Sequence, residues 1–228
     1  MCGRFTLRSP LKLKFDAISK SHLPPPTLLP RYNVAPSQEI LAITEVENQR
    51  PVSAFVWGLI PSRSSEPKGF INARSETLEL KPSFSESFER RRCLIPADGF
   101  YEWKRNGKSK QPYYFQLRDE SPFAFAGIWD RWQKGADSIT SCSIITTAPN
   151  DMLATIHDRM PVMLGPEAQE RWLHDKEPAQ LLELLVPFPA NEMKSFPVSL
   201  QVNHAKVEGP SLVEEVEVIE APQNLRLF

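Results

Sequence analysis

The sequence predicts an α+β fold, with residues 1–228 forming a single domain. It is expected to have a curved, largely antiparallel, barrel-like sheet flanked by short helices. Seven short runs of β-branched and aromatic residues recur along the chain, each three to eight residues long, and five segments with helical character lie among them. The 22 prolines outnumber the 9 glycines, so many segments start and stop at a fixed φ. At about 150 residues per domain, 228 residues make one large unit or two small ones, and no shift of composition marks a place to cut.

The elements follow in order. Leu11–Lys20 is the first helix candidate, and Leu23 to Pro30, with four prolines in eight residues, is an extended loop. Strands are expected at Ile40–Val46, Val52–Leu59, Cys93–Ile95, Gly99–Lys104, Tyr113–Leu117, Phe123–Trp129 and Cys142–Thr147. Further helices are expected at Pro82–Arg91, Asn150–Ile156, Pro166–His174 and Pro178–Leu185. Pro82, Pro166 and Pro178 stand where a helix begins, the position at which a missing N–H costs least. Asn106-Gly107 is a hairpin signal, and Lys104, Arg105, Lys108 and Lys110 place a cationic tip around it.

Hydrophobic residues at 41% and charged residues at 24% exclude wholesale disorder, collagen-like repeats and a multi-span membrane protein. The formal charge of -1 is a cancellation. Residues 1–118 hold 19 of the 27 basic and 11 of the 28 acidic side chains, a net of +8, and the remainder carry -9. Such asymmetry points to nucleic-acid or membrane contact, or to two solvated faces of opposite sign. No stretch reaches the roughly 18 apolar residues of a membrane span, and the first twenty residues contain no leader pattern. Three cysteines without CxxC spacing indicate neither a disulfide framework nor a zinc ribbon, and the four histidines are dispersed. The expectation is a cytoplasmic monomer, nucleoid-associated in a bacterium or nuclear in a eukaryote, with no metal, cofactor or membrane partner.

Cys2 is the most unusual residue. Removal of an initiator methionine is favoured when a small residue follows, so the mature chain is expected to begin with Cys2. Such a residue carries an α-amine of pKa about 7.7–8.0 and a thiol of about 8.5 on adjacent carbons, both partly active near neutrality. With an aldehyde the amine forms an imine, and the thiol closes a thiazolidine ring. With an amide or ester the thiol is an acyl-transfer nucleophile. Asn72, Arg74 and Glu76 crowd an amide, a guanidinium and a carboxylate into five residues, which reads as a site or as a turn with an Arg74–Glu76 surface pair. Alternation along Gly99–Lys104 sets Glu102 on one face with Phe100, and Tyr101 with Trp103 on the other. Glu102 is then solvent-side decoration or a desolvated acid suited to proton transfer. His157, between a helix end and a strand, is a structural group or a proton shuttle. Cys93 and Cys142 lie in apolar runs and read as small buried hydrophobes. Arg90-Arg91-Arg92 extends a cationic face or favours a helix C-terminus.

Together these segments are specific. Met1-Cys2-Gly3-Arg4-Phe5, Arg31-Tyr32-Asn33-Val34-Ala35-Pro36, Trp57-Gly58-Leu59-Ile60-Pro61, Ile71 to Thr77, Ala97 to Trp103 and Ile156 to Pro161 occur in this order. The set closely resembles the SRAP (SOS-response-associated peptidase) family of abasic-site processing proteins and spans nearly the whole chain. The resemblance implies a partner, single-stranded DNA containing abasic sites, and covalent capture of the ring-opened aldehyde by mature Cys2 as a thiazolidine. Lyase-type strand cleavage and autoproteolytic removal of Met1 are implied as further activities. By the same resemblance Asn72 positions Cys2 and the sugar, Glu102 orients or deprotonates the amine, and His157 serves the proton transfers. Arg4, Arg74 and Arg159 suit phosphates, Asn33 the DNA backbone, and Trp57 a stacked base or the core. Residues 62–70 depart from the family in lacking an aromatic Trp after Pro61. Two alternatives use fewer of these residues: an amino-terminal-cysteine amidohydrolase and a non-covalent single-strand binder in which Cys2 is incidental.

Overall fold

Period-two alternation along the central strands produces two apolar cores on opposite faces of one sheet, in a computed structural model that describes residues 2–10, 29–47, 49–107 and 109–218. The strands are β1 (Phe5–Leu7), β2 (Arg31–Val34), β3 (Glu39–Ile43), β4 (Val52–Trp57), β5 (Asn72–Arg74), β6 (Arg92–Ala97), β7 (Gly99–Asn106), β8 (Ser109–Leu117), β9 (Phe123–Lys134), β10 (Asp137–Thr147), β11 (Met160–Pro161), β12 (Met163–Leu164) and β13 (Met193–Pro197). The helices are α1 (Ser85–Arg90), α2 (Asp151–Ala154), α3 (Pro166–His174) and α4 (Pro178–Glu183).

Strands β10, β4, β3, β6 and β9 pair in that sequence, and β9 pairs back onto β10, so the larger sheet closes into a ring. All of these pairings are antiparallel except β10 with β4, and β5 also joins β10 in parallel. On β9, Phe123 and Phe125 point into one core while Ala124, Ala126 and Ile128 point into the other. Cys93, Ile95 and Ala97 of β6 and Cys142 and Ile144 of β10 face the Phe125 side, together with Cys2, Phe5 and Trp57. Leu94 and Ile145 face the other side, where Phe88, Trp172 and Leu181 of the helices cover them. The second sheet, in the order β13-β8-β7-β1-β2, lies on the Phe125 side through Phe5, Phe100 and Phe115.

The expected strands are all present with shifted ends, and Pro166–His174 is a helix with its predicted bounds. The Asn150 side chain accepts from Leu153 N–H and caps α2. Helix α1 starts at Ser85, beyond Pro82, and α4 stops at Glu183. The predicted helix Leu11–Lys20 and all but the last two residues of the proline loop lie outside the described residues. Strands β1, β2, β5, β11, β12 and β13 are additional to those expected. They are short or lack alternating apolar runs, and their partners rather than their own composition stabilise them.

Cys93 and Cys142 are fully buried, and burial pushes both thiols upward, in keeping with a packing role. Two of the three arginines in the Arg90-Arg91-Arg92 run are structural, and Arg90 is exposed. Arg91 pairs with Glu86 and Asp130, and Arg92 donates to the carbonyls of Phe88, Glu89, Trp172 and Asp175, tying the end of α1 to the end of α3.

Gly127 marks a close approach in the ring, where β9 lies between Cys93 of β6 and Ile144 of β10. A Cβ there would sit 2.8 Å from Ile95 Cδ1 and 2.9 Å from Cys93 Sγ. Gly127→Ala is expected to destabilise the protein by about 1–3 kcal/mol through overpacking. Ile95→Val, which removes the clashing methyl, recovers part of that loss in the double variant, as read by denaturant unfolding.

Candidate active site

Cys2 is completely buried, an unusual place for a residue so near a chain end. The segment that carries it is held by a carboxylate. Asp98, itself 2% exposed, accepts the backbone N–H groups of Arg8 (2.6 Å) and Ser9 (3.0 Å), the Thr6 hydroxyl (2.6 Å) and Arg8 Nε (3.3 Å). Thr6 Oγ1 also lies 2.8 Å from the Tyr114 hydroxyl. Gly99 is needed beside this clamp, because a Cβ there would lie 2.0 Å from Tyr114 Oη. Phe5 and Thr6 then pair with Phe100 and Gly99, and Tyr101 N–H donates to the Arg4 carbonyl, so the residues before β1 run alongside the Glu102 stretch of β7.

Asn72 fixes Cys2 from the other side. Its Nδ2 donates to the Cys2 carbonyl at 2.8 Å, while its Oδ1 is buried and without a hydrogen-bond partner among the described residues. The rest of β5 explains the placement. Ala73 is buried against β10, which turns Asn72 and Arg74 to the opposite face. An orphaned buried acceptor costs about 1–3 kcal/mol, and a ligand hydroxyl would satisfy it.

Glu102 is 1% exposed, on the same face of β7 as Phe100 and opposite Tyr101 and Trp103, as alternation predicts. Burial pushes its carboxyl up to about 7, against the opposing pull of the Trp103 backbone N–H, and the charge of Asp158 adds to the rise. The Cys2 thiol is raised far above its ordinary value, first by burial and then by the charge of Glu102. His157 follows α2, and burial lowers its pKa. Its Nδ1 accepts Arg159 N–H at 3.0 Å and lies 2.9 Å from Asp158 Oδ1. These two contacts require different protonation states. The lowered pKa favours the neutral ring, with Nδ1 accepting from Arg159 and the proton on Nε2. Asp158 is 85% exposed and is the partner of the protonated ring.

The proposed DNA-contacting residues divide. Arg74 is exposed on the Asn72 face. Arg159 forms a two-pronged pair with Glu76 (2.5 and 2.9 Å) and donates to the Thr146 carbonyl, so Glu76 pairs with Arg159 and not with Arg74. Arg4 is half-buried, its Nε bonded to Asn33 Oδ1 at 3.0 Å. Two assignments are corrected. Asn33 is fully buried and donates to the carbonyls of Val202, His204 and Val207, so it aims Arg4 and anchors the later chain instead of facing a nucleic acid. Trp57 is fully buried, edge-on to Phe5 with Nε1 donating to Ile71 O, and has no open face for stacking. The half-buried Trp103, beside Glu102, has the open ring, and its Nε1 donates to Asn203 Oδ1 at 2.7 Å. Asp98 is absent from the sequence-derived set because Asp98-Gly99 reads as an ordinary turn. Residues 62–70 pack toward β9, where Asp130 accepts Ser62 N–H and the Ser64 carbonyl accepts Trp132 Nε1–H. Among the described residues no group of His, Cys, Asp or Glu is arranged to hold a metal, and no helix is long and apolar enough to cross a membrane.

Fold and site define an α+β protein organised around a buried cysteine, with an amide, a carboxyl and an imidazole brought to it from three other stretches of chain. The chain belongs to the SOS response associated peptidase (SRAP) family, whose sequence profile matches residues 1–205. It is 43% identical over 226 residues to the abasic site processing protein YoqW of Bacillus subtilis (strain 168), covering 94% of this chain and 99% of that one. Abasic site processing protein YedK of Escherichia coli (strain K12) is 32% identical over 223 residues, with 95% and 100% covered. A crystal structure of a protein from Bacteroides thetaiotaomicron superposes with a TM-score of 0.81 at 28% identity, covering 95% of this chain and 100% of that one.

The raised Glu102 carboxyl sets a pH dependence of stability. An acid whose folded pKa exceeds its unfolded value costs nothing below the unfolded pKa, and the cost grows as pH rises toward the folded one. Glu102→Gln is therefore expected to stabilise the fold above about pH 7, by on the order of 3 kcal/mol, and the gain should fade toward about pH 4.5. Thermal unfolding of both proteins across that range measures it.

Proposed function

We propose that this protein processes abasic sites in single-stranded DNA by covalent capture of the ring-opened sugar on Cys2. The observation that carries the reading is the enclosure of Cys2 by Asn72, which holds its carbonyl, and by Glu102, whose charge acts on its thiol.

Hydrolysis of the Met1–Cys2 bond frees the α-amine. The same groups are suited to assist that cleavage, in line with the family's peptidase description. The amine then adds to the aldehyde carbon of the sugar, and the carbinolamine loses water to give an imine. Sγ adds to the same carbon, the thiol proton passes to nitrogen, and a five-membered thiazolidine closes with one water released overall. The order follows from acidity. Burial keeps the thiol protonated near neutrality, so the amine is the first nucleophile and the thiol acts once the imine is in place.

With its pKa near 7, Glu102 takes the proton of the ammonium form and returns it to the departing hydroxyl. Neutral His157 is the second proton carrier, acting on the sugar oxygen during ring opening. The free Oδ1 of Asn72 accepts a sugar hydroxyl. Arg4, Arg74 and Arg159 take the flanking phosphates, Arg159 by exchanging its Glu76 partner, and Trp103 supplies the stacking surface. The imine is the branch point. Ring closure preserves the strand, and β-elimination from the imine cleaves it. The protein acts as a monomer in this scheme, without a cofactor.

Incubation with an abasic single-stranded oligonucleotide should yield a heat-stable adduct that is absent for Cys2→Ala. An adduct of equal yield in that variant would refute the reading. Adduct formation is expected to accelerate as pH rises through about 7, where Glu102 ionises. Glu102→Gln should slow it by about 100-fold or more and leave only the titration of the α-amine near pH 8.

A further inference from the structure

The β7–β8 hairpin carries charge that the fold does not neutralise. In its register Arg105 lies directly opposite Lys110, and Lys104 opposite Gln111. Directly opposed residues share a face with Cβ atoms about 4.5–5.5 Å apart, and like charges so placed repel. Arg105 and Lys110 are both exposed, and among the described residues neither forms an ion pair. Several arginines elsewhere in the basic half are engaged, whereas Arg74 and Arg90 are exposed without an ion pair among the described residues. Arg8 is bound to Asp98, Arg31 to the Glu39 carbonyl and Gln38, Arg50 to Glu170, and Arg91 and Arg92 to the α1 and α3 ends.

The arm is also aligned with the site. Two residues back along β7 from Arg105, on the same face, is Trp103, whose indole bonds Asn203 Oδ1; the carbonyl of Asn203 accepts from Arg4 Nη2 at 3.5 Å. A line therefore runs along one face from Arg4 past Asn203 and Trp103 to the Arg105–Lys110 pair. The charge of Arg105 also contributes to the lowering of the His157 pKa, after burial.

We infer that the Arg105–Lys110 pair is a phosphate-binding arm for the strand flanking the captured site, a contact outside the Cys2 pocket that fixes the direction in which the DNA leaves it. This rests on the abasic-site reading above. The ligand chemistry is the phosphodiester backbone of single-stranded nucleic acid: a polyanion whose charges come one per nucleotide relieves the cross-strand repulsion, and the contact reads no base.

The test uses the full chain and an undamaged, fluorescently labelled single-stranded oligonucleotide, with binding followed by anisotropy as salt is varied. Each phosphate contact on a single strand contributes about 0.7 to the slope of log affinity against log salt, so Arg105→Ala with Lys110→Ala should lower the slope by about 1.4 and weaken low-salt binding severalfold. The melting temperature of the variant should stay level or rise, because a repulsive pair has been removed. Arg105→Lys should retain the slope. An abasic oligonucleotide shortened on one flank at a time provides the directional check: the variant's penalty vanishes when the flank that reaches the arm is removed, and persists when the other is removed. An unchanged slope in the double variant, or a penalty indifferent to both flanks, overturns the arm. Failure of the abasic-site reading is separately visible, as the absence of any adduct with the unmodified protein.

Discussion

The burial of the segment around Cys2 is the constraint on which the rest of the architecture depends. A buried segment needs partners for every backbone group, and this one obtains them from two strands and one carboxylate. The N–H groups of Arg8 and Ser9 end on Asp98, and the Arg4 carbonyl accepts Tyr101 N–H. Charge-assisted bonds of this kind contribute about 1.5–3 kcal/mol each, enough to offset the entropy of ordering residues that would otherwise fray. The Asp98 clamp therefore acts at a distance from the chemistry, by fixing the register in which Cys2 meets Asn72 and Glu102.

Burial determines the chemistry as well. The same exclusion of water raises the Cys2 thiol, raises the Glu102 carboxyl and lowers the His157 imidazole. Three groups are thereby moved toward their neutral forms by one cause. A carboxyl near 7 and a neutral imidazole are suited to relay protons at physiological pH, and in the proposed capture the protonated thiol acts once the imine is in place. The mouth of the site is different in character. Arg74, Lys104, Arg105 and Lys110 are exposed, and Arg159 is held by Glu76. The polyanion contacts proposed above thus lie at one edge of a chain whose net charge is -1.

Much of this was legible in the sequence where the signal was local. Alternation along β7 placed Glu102 with Phe100 correctly, because one face of that strand is packed against a core and a slip of one residue would reverse every side chain. Pro166 at a helix start and the Asn106-Gly107 hairpin needed nothing but their own backbone preferences. Short strands such as β5 and β12 were not legible, since their partners on β10 and β9 define them. Trp57 and Asn33 show the limit at the site. Their motifs single them out, but whether a tryptophan faces a base or a core depends on Phe5 and Ile71 arriving from elsewhere in the chain. Asn33 likewise looks like a ligand-facing amide until the carbonyls of Val202, His204 and Val207 are brought to it. The +8 and -9 halves were visible as sums, and only the fold separates the arginines tied up in packing from those left at the site's edge.

The most direct test of the account is mass analysis of the amino-terminal peptide from the protein–DNA adduct. The account predicts a peptide that begins at Cys2, lacks Met1, and carries the sugar joined through both its α-nitrogen and its sulfur, with the loss of one water. An adduct that retains Met1, or one joined through any other residue, would contradict it.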